Sequence, residues 1–275
     1  MIYSFFTYPP HIIKFLEIFL SISLLISSLQ HLKNIHCYSH QGLLPWHILK
    51  KRNIYARFRG KRFNFLFGKR SMLLLNIIRT LILPLFILSE REKFYFLTLF
   101  ILTIITYIIY FRSSLMSNAA DQVNNIILTG LVISHSLSGY TSGNMIIYFF
   151  ASLLIISYFT SGLLKVYEEN WRNGIYLKQV LITRNFGNPF LLNLLNLVDN
   201  KVFKFLSQTI VIWQICSFLI PFFPPIIFYC YLVVALIFHL ATGFLMRLNG
   251  FIWTFTGLLP TLIYLHVKMF HCLYS

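Results

Sequence analysis

The chain has 275 residues, of which 57% are hydrophobic and only 11% are charged. A soluble domain carries about 25% charged residues, so the composition excludes an ordinary water-soluble fold. The formal net charge is +16, from 23 Lys and Arg against 7 Asp and Glu. Because these cations lie between long apolar runs, they indicate membrane orientation signals and contacts with anionic lipids rather than nucleic-acid binding. The sequence predicts a polytopic integral membrane protein.

Apolar runs predict about eight membrane crossings, each near the roughly 20 residues that span a bilayer as a helix. In chain order they cover 11–29, 72–89, 93–111, 122–138, 144–165, 202–223, 225–247 and 250–268. No internal repeat divides the series. We therefore expect an all-α fold, a polytopic membrane helix bundle, forming a single transmembrane domain over residues 1–275.

The longest polar segments are 30–71 and 166–201, and both are basic. Counting crossings places them on one membrane face, which the positive-inside rule assigns to the cytoplasm, with both termini outside. The second segment has apolar residues around Trp171 and basic residues Arg172, Lys178 and Arg184. This pattern is typical of a short interfacial helix that lies on the headgroups, and a plain connecting loop is the alternative.

Lys165 is the first candidate for chemistry. It ends the apolar run 145–164 and follows Gly162 by three residues, and a glycine there lets another helix approach closely. A lysine enclosed by apolar groups loses the solvation of its charged form and can act as a base near neutral pH. The alternative is a lysine that extends to the headgroups from a helix end.

His239 lies well inside the apolar run 226–245. It can hydrogen-bond a polar ligand or stabilise an oxyanion, and the alternative is a hydrogen bond between helices. Thr242 follows at i+3 and shares its helix face. His135, in the predicted fourth crossing, is a second histidine of the same kind.

Asp121 begins the predicted fourth crossing, where an acidic side chain either caps the helix or lines a polar cavity. Metal-ligand residue types occur at His36, Cys37, His40 and His47. Their spacing matches no zinc pattern and lacks a distal ligand pair, so we predict no metal site.

Several stretches resemble, in order, the membrane domain of vitamin K-dependent gamma-carboxylases and its bacterial relatives, the HTTM (horizontally transferred transmembrane) group. The stretch 161–166 (SGLLKV), with Trp171 and Gly174 after it, is similar to the family's small-Gly-x-x-Lys and Trp-x-x-Gly signature. Further similar stretches are Phe238-His239 with Phe251 and Pro260 downstream, the turn 38–45 (YSHQGLLP), and 114–122.

The resemblance implies that Lys165 is the catalytic base and that His239 lies near the reaction centre. In the carboxylases that base deprotonates a reduced quinone, vitamin K hydroquinone, so a quinone is the cofactor that the resemblance implies. Trp171, Thr242, Asp121 and His135 complete the expected substrate or cofactor cavity. The family orientation places the base outside, whereas the cation count places Lys165 on the cytoplasmic face.

Short members of the group include the sporulation-delaying protein B type, associated with maturation of an exported bacterial peptide toxin. That resemblance implies a bacterial inner-membrane protein that modifies a secreted peptide with carboxylase-like chemistry. The alternative is a non-enzymatic scaffold or immunity partner, bound to an exported peptide or to a small membrane-associated protein. A transporter is disfavoured because no inverted repeat is evident and few charges lie within the spans.

Overall fold

The computed structural model describes residues 8–51, 61–89, 92–114, 117–137, 140–183, 187–188 and 190–274, without the side chains of 61–63, 140–142 and 271–274. Part of the basic segment, residues 52–60, lies outside this description, and so does the predicted interfacial residue Arg184.

The described residues are almost entirely helical, and no strand occurs among them. The eight long helices, numbered α1 to α8 here, are Pro9–Lys33, Lys69–Leu88, Glu92–Arg112, Ala119–Ser136, Tyr140–Tyr167, Asn200–Cys216, Pro225–Met246 and Asn249–Tyr274. A 3-10 turn, Ser217–Phe222, continues α6. Their bounds lie within a few residues of the eight predicted crossings, and the predicted all-α membrane helix bundle is confirmed.

Seven of these helices are long and apolar enough to cross a membrane, within the part of the chain that the structure describes. The remaining long helix, α4, has polar residues in its first two turns, including Asp121, Asn124 and Asn125. Helix α4 begins with a capping box, in which Asn118 and Asp121 each accept a hydrogen bond from the other's backbone N–H. The count of crossings by apolar character is therefore seven rather than eight.

The chain divides into two compact units, and α1 contributes to both. The inner unit spans Leu20–Ser138, and the terminal unit combines Met1–Phe19 with Gly139–Ser275. The expected single domain over residues 1–275 stays a prediction.

In the inner unit, α3 packs against both α2 and α4. A buried arginine, Arg112, ends α3 and holds the loop that follows α1. Its guanidinium donates to the backbone carbonyls of Phe67 and Leu44 and lies over the rings of Tyr38 and Trp46. Burial raises the pKa of Tyr38 to about 12, although the nearby Arg112 charge opposes this. The phenol therefore stays neutral at pH 7.

In the terminal unit, α5 is the central helix, since α6 and α8 both pack along it and α7 packs on α8. Three short helices, Glu169–Arg172, Ile175–Ile182 and Leu192–Leu197, occupy half of the segment 166–201, and the first two pack on α6. The described part of the segment thus contains short helices and is not a plain loop. Its position at the headgroups stays a prediction.

We expect Arg112→Met to destabilise the protein by roughly 2 kcal/mol, because two buried carbonyl groups lose a charged donor. The melting temperature of the purified protein in detergent measures this. Arg70→Met, which removes an exposed arginine from the first turn of α2, is the matched control. Equal melting temperatures for the two variants would contradict the anchoring role of Arg112.

Candidate functional site

Lys165 lies in the last turn of α5 and turns back onto protein oxygens. Its Nζ donates to Ser161 Oγ at 2.5 Å and to the Ser161 carbonyl at 3.2 Å, one turn earlier on the same helix. A third bond reaches Gln214 Oε1 on α6 at 3.0 Å. No carboxylate of the described residues forms an ion pair with this ammonium. Lys165 is therefore half-buried on neutral acceptors of α5 and α6.

Gly162 allows α6 to come close enough for that third bond. A Cβ at this position would lie 2.9 Å from Gln214 Cβ and 3.0 Å from the Ile215 backbone nitrogen. Only a residue without a side chain fits such a distance. The close helix approach predicted for Gly162 is thus made within this chain, against α6.

Trp171 covers Lys165 from the short helix that follows α5. The Nζ of Lys165 lies 5.2 Å from a Trp171 ring centroid, which is cation–π range. Ser207 of α6 donates to the Trp171 carbonyl at 2.5 Å. Gly174 has a left-handed backbone (φ 75°) and lies directly against the backbone of Phe203 and Lys204. The Trp-x-x-Gly spacing therefore fixes the indole over the lysine.

His239 lies at the centre of an aromatic cluster in the terminal unit and is 0% exposed. Its Nε2 lies 2.5 Å from the Tyr158 hydroxyl on α5, and its ring stacks on Phe255 of α8 with centroids 4.8 Å apart. Tyr158 also contacts Trp213, which packs on Tyr231.

Three buried polar atoms of this aromatic cluster have no hydrogen-bond partner among the described residues: His239 Nδ1, Trp213 Nε1 and Tyr231 Oη. Such unsatisfied atoms are rare in native proteins. They identify the cluster as a place where a polar ligand or water molecules would be stabilised.

Lys165 contacts Trp171 directly, whereas no direct contact between Lys165 and His239 occurs among the described residues. Tyr158, the partner of His239, lies seven residues before Lys165, which is about 10 Å along the helix axis. The two positions are linked through adjacent residues of α6, since Gln214 bonds Lys165 and Trp213 packs on Tyr158. Thr242 donates to the His239 carbonyl at 3.0 Å.

Asp121 and His135 belong to the inner unit. Asp121 caps α4, and burial raises the pKa of its carboxyl. It also lines a small polar pocket. His135 lies fourteen residues further along α4, roughly 21 Å away, and packs on Tyr95 and Phe96.

Two polar residues of these sites are absent from the sequence predictions. Gln214 supplies an acceptor to Lys165, and nothing in the sequence distinguishes it from other polar residues of the spans. Arg79 is different, because it stands at the middle of the predicted crossing 72–89 and is only 2% exposed. A charged residue at that depth is itself a signal of function.

Comparisons with family models, curated proteins and solved structures give no match for this chain.

We expect Gly162→Ala to destabilise the protein by about 1–3 kcal/mol, the usual range for overpacking, because the new methyl group pushes α6 away from α5. The melting temperature and the accessibility of Lys165 to an amine-reactive label both report this. Gly143→Ala on the same helix is the control, since a Cβ there meets nothing within 4 Å. A Gly162→Ala protein as stable as Gly143→Ala would contradict the close packing.

Tyr158→Phe should cost about 1–3 kcal/mol, since it leaves His239 buried without the partner of its Nε2. The double variant Tyr158→Phe/His239→Leu removes both polar groups. We expect the double variant to lose less free energy of unfolding than the two single variants lose together. Melting temperatures of the four proteins complete the cycle, and strictly additive effects would show that the two groups are not coupled.

Proposed function

We propose that this integral membrane protein is an HTTM-type enzyme of a bacterial inner membrane, and that it modifies an exported peptide with Lys165 as general base. The observation that carries the proposal is the surroundings of Lys165 Nζ, held by Ser161 and Gln214 beneath the Trp171 ring. The ordered resemblance in the sequence adds to it, since the same lysine and tryptophan occupy the signature positions.

Neutral partners suit a group that must both release and accept a proton. A lysine paired with a carboxylate would lose a full Coulombic attraction on deprotonation. When Lys165 is deprotonated, it loses only hydrogen bonds to uncharged oxygens. A substrate group that donates its proton to Nζ leaves an ammonium with three N–H groups.

The three acceptors at Lys165 take up the three N–H groups of the ammonium, and the Trp171 ring adds a favourable face for the positive charge. For the neutral amine to accept a proton, one of these acceptors must give way so that the lone pair faces the substrate group. The site is therefore suited to stabilise the lysine after proton uptake. Gly162 and Gly174 keep the acceptors in place, because each lets a backbone approach that a side chain would block.

A reduced quinone is the cofactor that the sequence resemblance implies, and the polar atoms that would hold its oxygens are Trp213 Nε1, Tyr231 Oη and His239 Nδ1. The rings around His239 pack directly on one another, so a quinone would enter only if they separate. When bound, such a group supplies an acidic ring hydroxyl. The chain's own part at this cluster is to exclude water with the buried rings, and Lys165 is linked to it through the adjacent residues Trp213 and Gln214 of α6.

The test uses the exported peptide whose gene lies nearest to the gene of this protein. Its mass is measured after secretion from cells that produce either the wild-type protein or a variant. We expect Lys165→Met and Lys165→Arg to lower maturation by at least about 100-fold, the scale of general base catalysis. The arginine variant keeps the positive charge but cannot give up its proton, so it separates a base from a structural cation.

Lys201→Met, which removes an exposed lysine from the start of α6, is the control and should mature the peptide normally. Membrane levels of all four proteins are measured by immunoblot. Normal maturation of the peptide by the Lys165→Arg variant would refute the role of Lys165 as general base. Normal maturation by the Lys165→Met variant would favour the non-enzymatic scaffold. The mass difference of the matured peptide identifies the modification.

A further inference from the structure

The inner unit contains a second buried cation that the proposed function does not use. Arg79 lies halfway along α2, and its Nε donates to Ser28 Oγ at 2.7 Å. Its Nη2 reaches Ser27 Oγ and Asn76 Oδ1, both at 3.3 Å. The remaining terminal nitrogen, Nη1, makes no bond to a described residue.

Arg79 forms no direct ion pair with a carboxylate of the described residues, although Asp121 lies near enough to act electrostatically on its charge. All three of its acceptors are neutral oxygens, and no ion pair involves it within the described part of the chain. A guanidinium stays protonated in proteins, so the inner unit carries a fixed positive charge at the depth of the membrane. A buried charge is stabilised when an opposite charge joins it.

An amide with no partner faces the same space. Asn125 of α4 is 4% exposed, and neither its Nδ2 nor its Oδ1 has a hydrogen-bond partner among the described residues. Asn125 and Arg79 both line a small pocket at which α1, α2, α3 and α4 converge. The pocket has room for about one water-sized particle.

Three titratable groups besides Arg79 line this pocket: Asp121, His31 and Tyr110. His31 Nδ1 lies 2.7 Å from the Tyr38 hydroxyl. Burial raises the pKa of Asp121, while its hydrogen bond from the Asn118 backbone and the nearby Arg79 charge oppose the shift. The first turns of α4 also present the positive end of a helix dipole to this region.

We propose that this pocket binds a small monovalent anion of the chloride class, held by the Arg79 guanidinium and the Asn125 amide. The anion would pair directly with the Arg79 guanidinium, which bonds only neutral oxygens, and would accept from Asn125 Nδ2, which has no other partner among the described residues. This site is independent of Lys165, because all its residues lie within Leu20–Ser138.

The experiment measures the melting temperature of the purified full chain in detergent while sodium chloride replaces sodium gluconate at constant ionic strength. We expect a rise that saturates with chloride concentration, because a ligand that binds only the folded state stabilises it. Asn125→Leu should lose this rise. It should also be at least as stable as wild type in gluconate, since it removes an unsatisfied buried amide.

Arg79→Gln should lose the chloride response too, and Arg70→Gln, an exposed arginine on the same helix, should keep it. If Arg79→Gln does not fold, Asn125→Leu decides alone. The proposal is overturned if the wild type shows no saturable chloride response, or if Asn125→Leu retains it in full.

Discussion

The close approach of α5 and α6 at Gly162 determines the arrangement of the terminal unit. It places Gln214 against Lys165 and the neighbouring Trp213 against Tyr158, so two consecutive residues of α6 reach two different sites on α5. The same helix receives the short segment that carries Trp171 through Ser207. Because Gly162 has no side chain, α6 comes close enough to α5 to hold Gln214 and Trp171 at Lys165 and Trp213 at Tyr158, the partner of His239.

Buried cations in this protein rely on neutral partners. Arg79 is bonded by serine and asparagine oxygens, Arg112 by two backbone carbonyls and two aromatic rings, and Lys165 by serine, glutamine and tryptophan. With only seven acidic residues in the chain, carboxylates cannot serve every cation. Dipoles and π faces make the direct contacts in their place.

Helix positions followed from the sequence because apolar length is a property of a single segment. The close packing at Gly162 was also predictable, since a glycine one turn before a helix end permits contact whatever the partner is. Gln214 and Tyr158 were not, because their roles depend on which helices meet, and the sequence alone does not state this. Arg79 was within reach of sequence reasoning, as a charge in the middle of an apolar run.

The polar start of α4 has a consequence for how the protein is made. Its first two turns contain Asp121, Asn124 and Asn125, groups that a bilayer accepts poorly. A helix of this kind does not partition into lipid by itself. Its polar turns are covered by helices synthesised before it, since α3 packs along it and Asn124 donates to Ser23 of α1, so α4 reaches its place only after those helices are present.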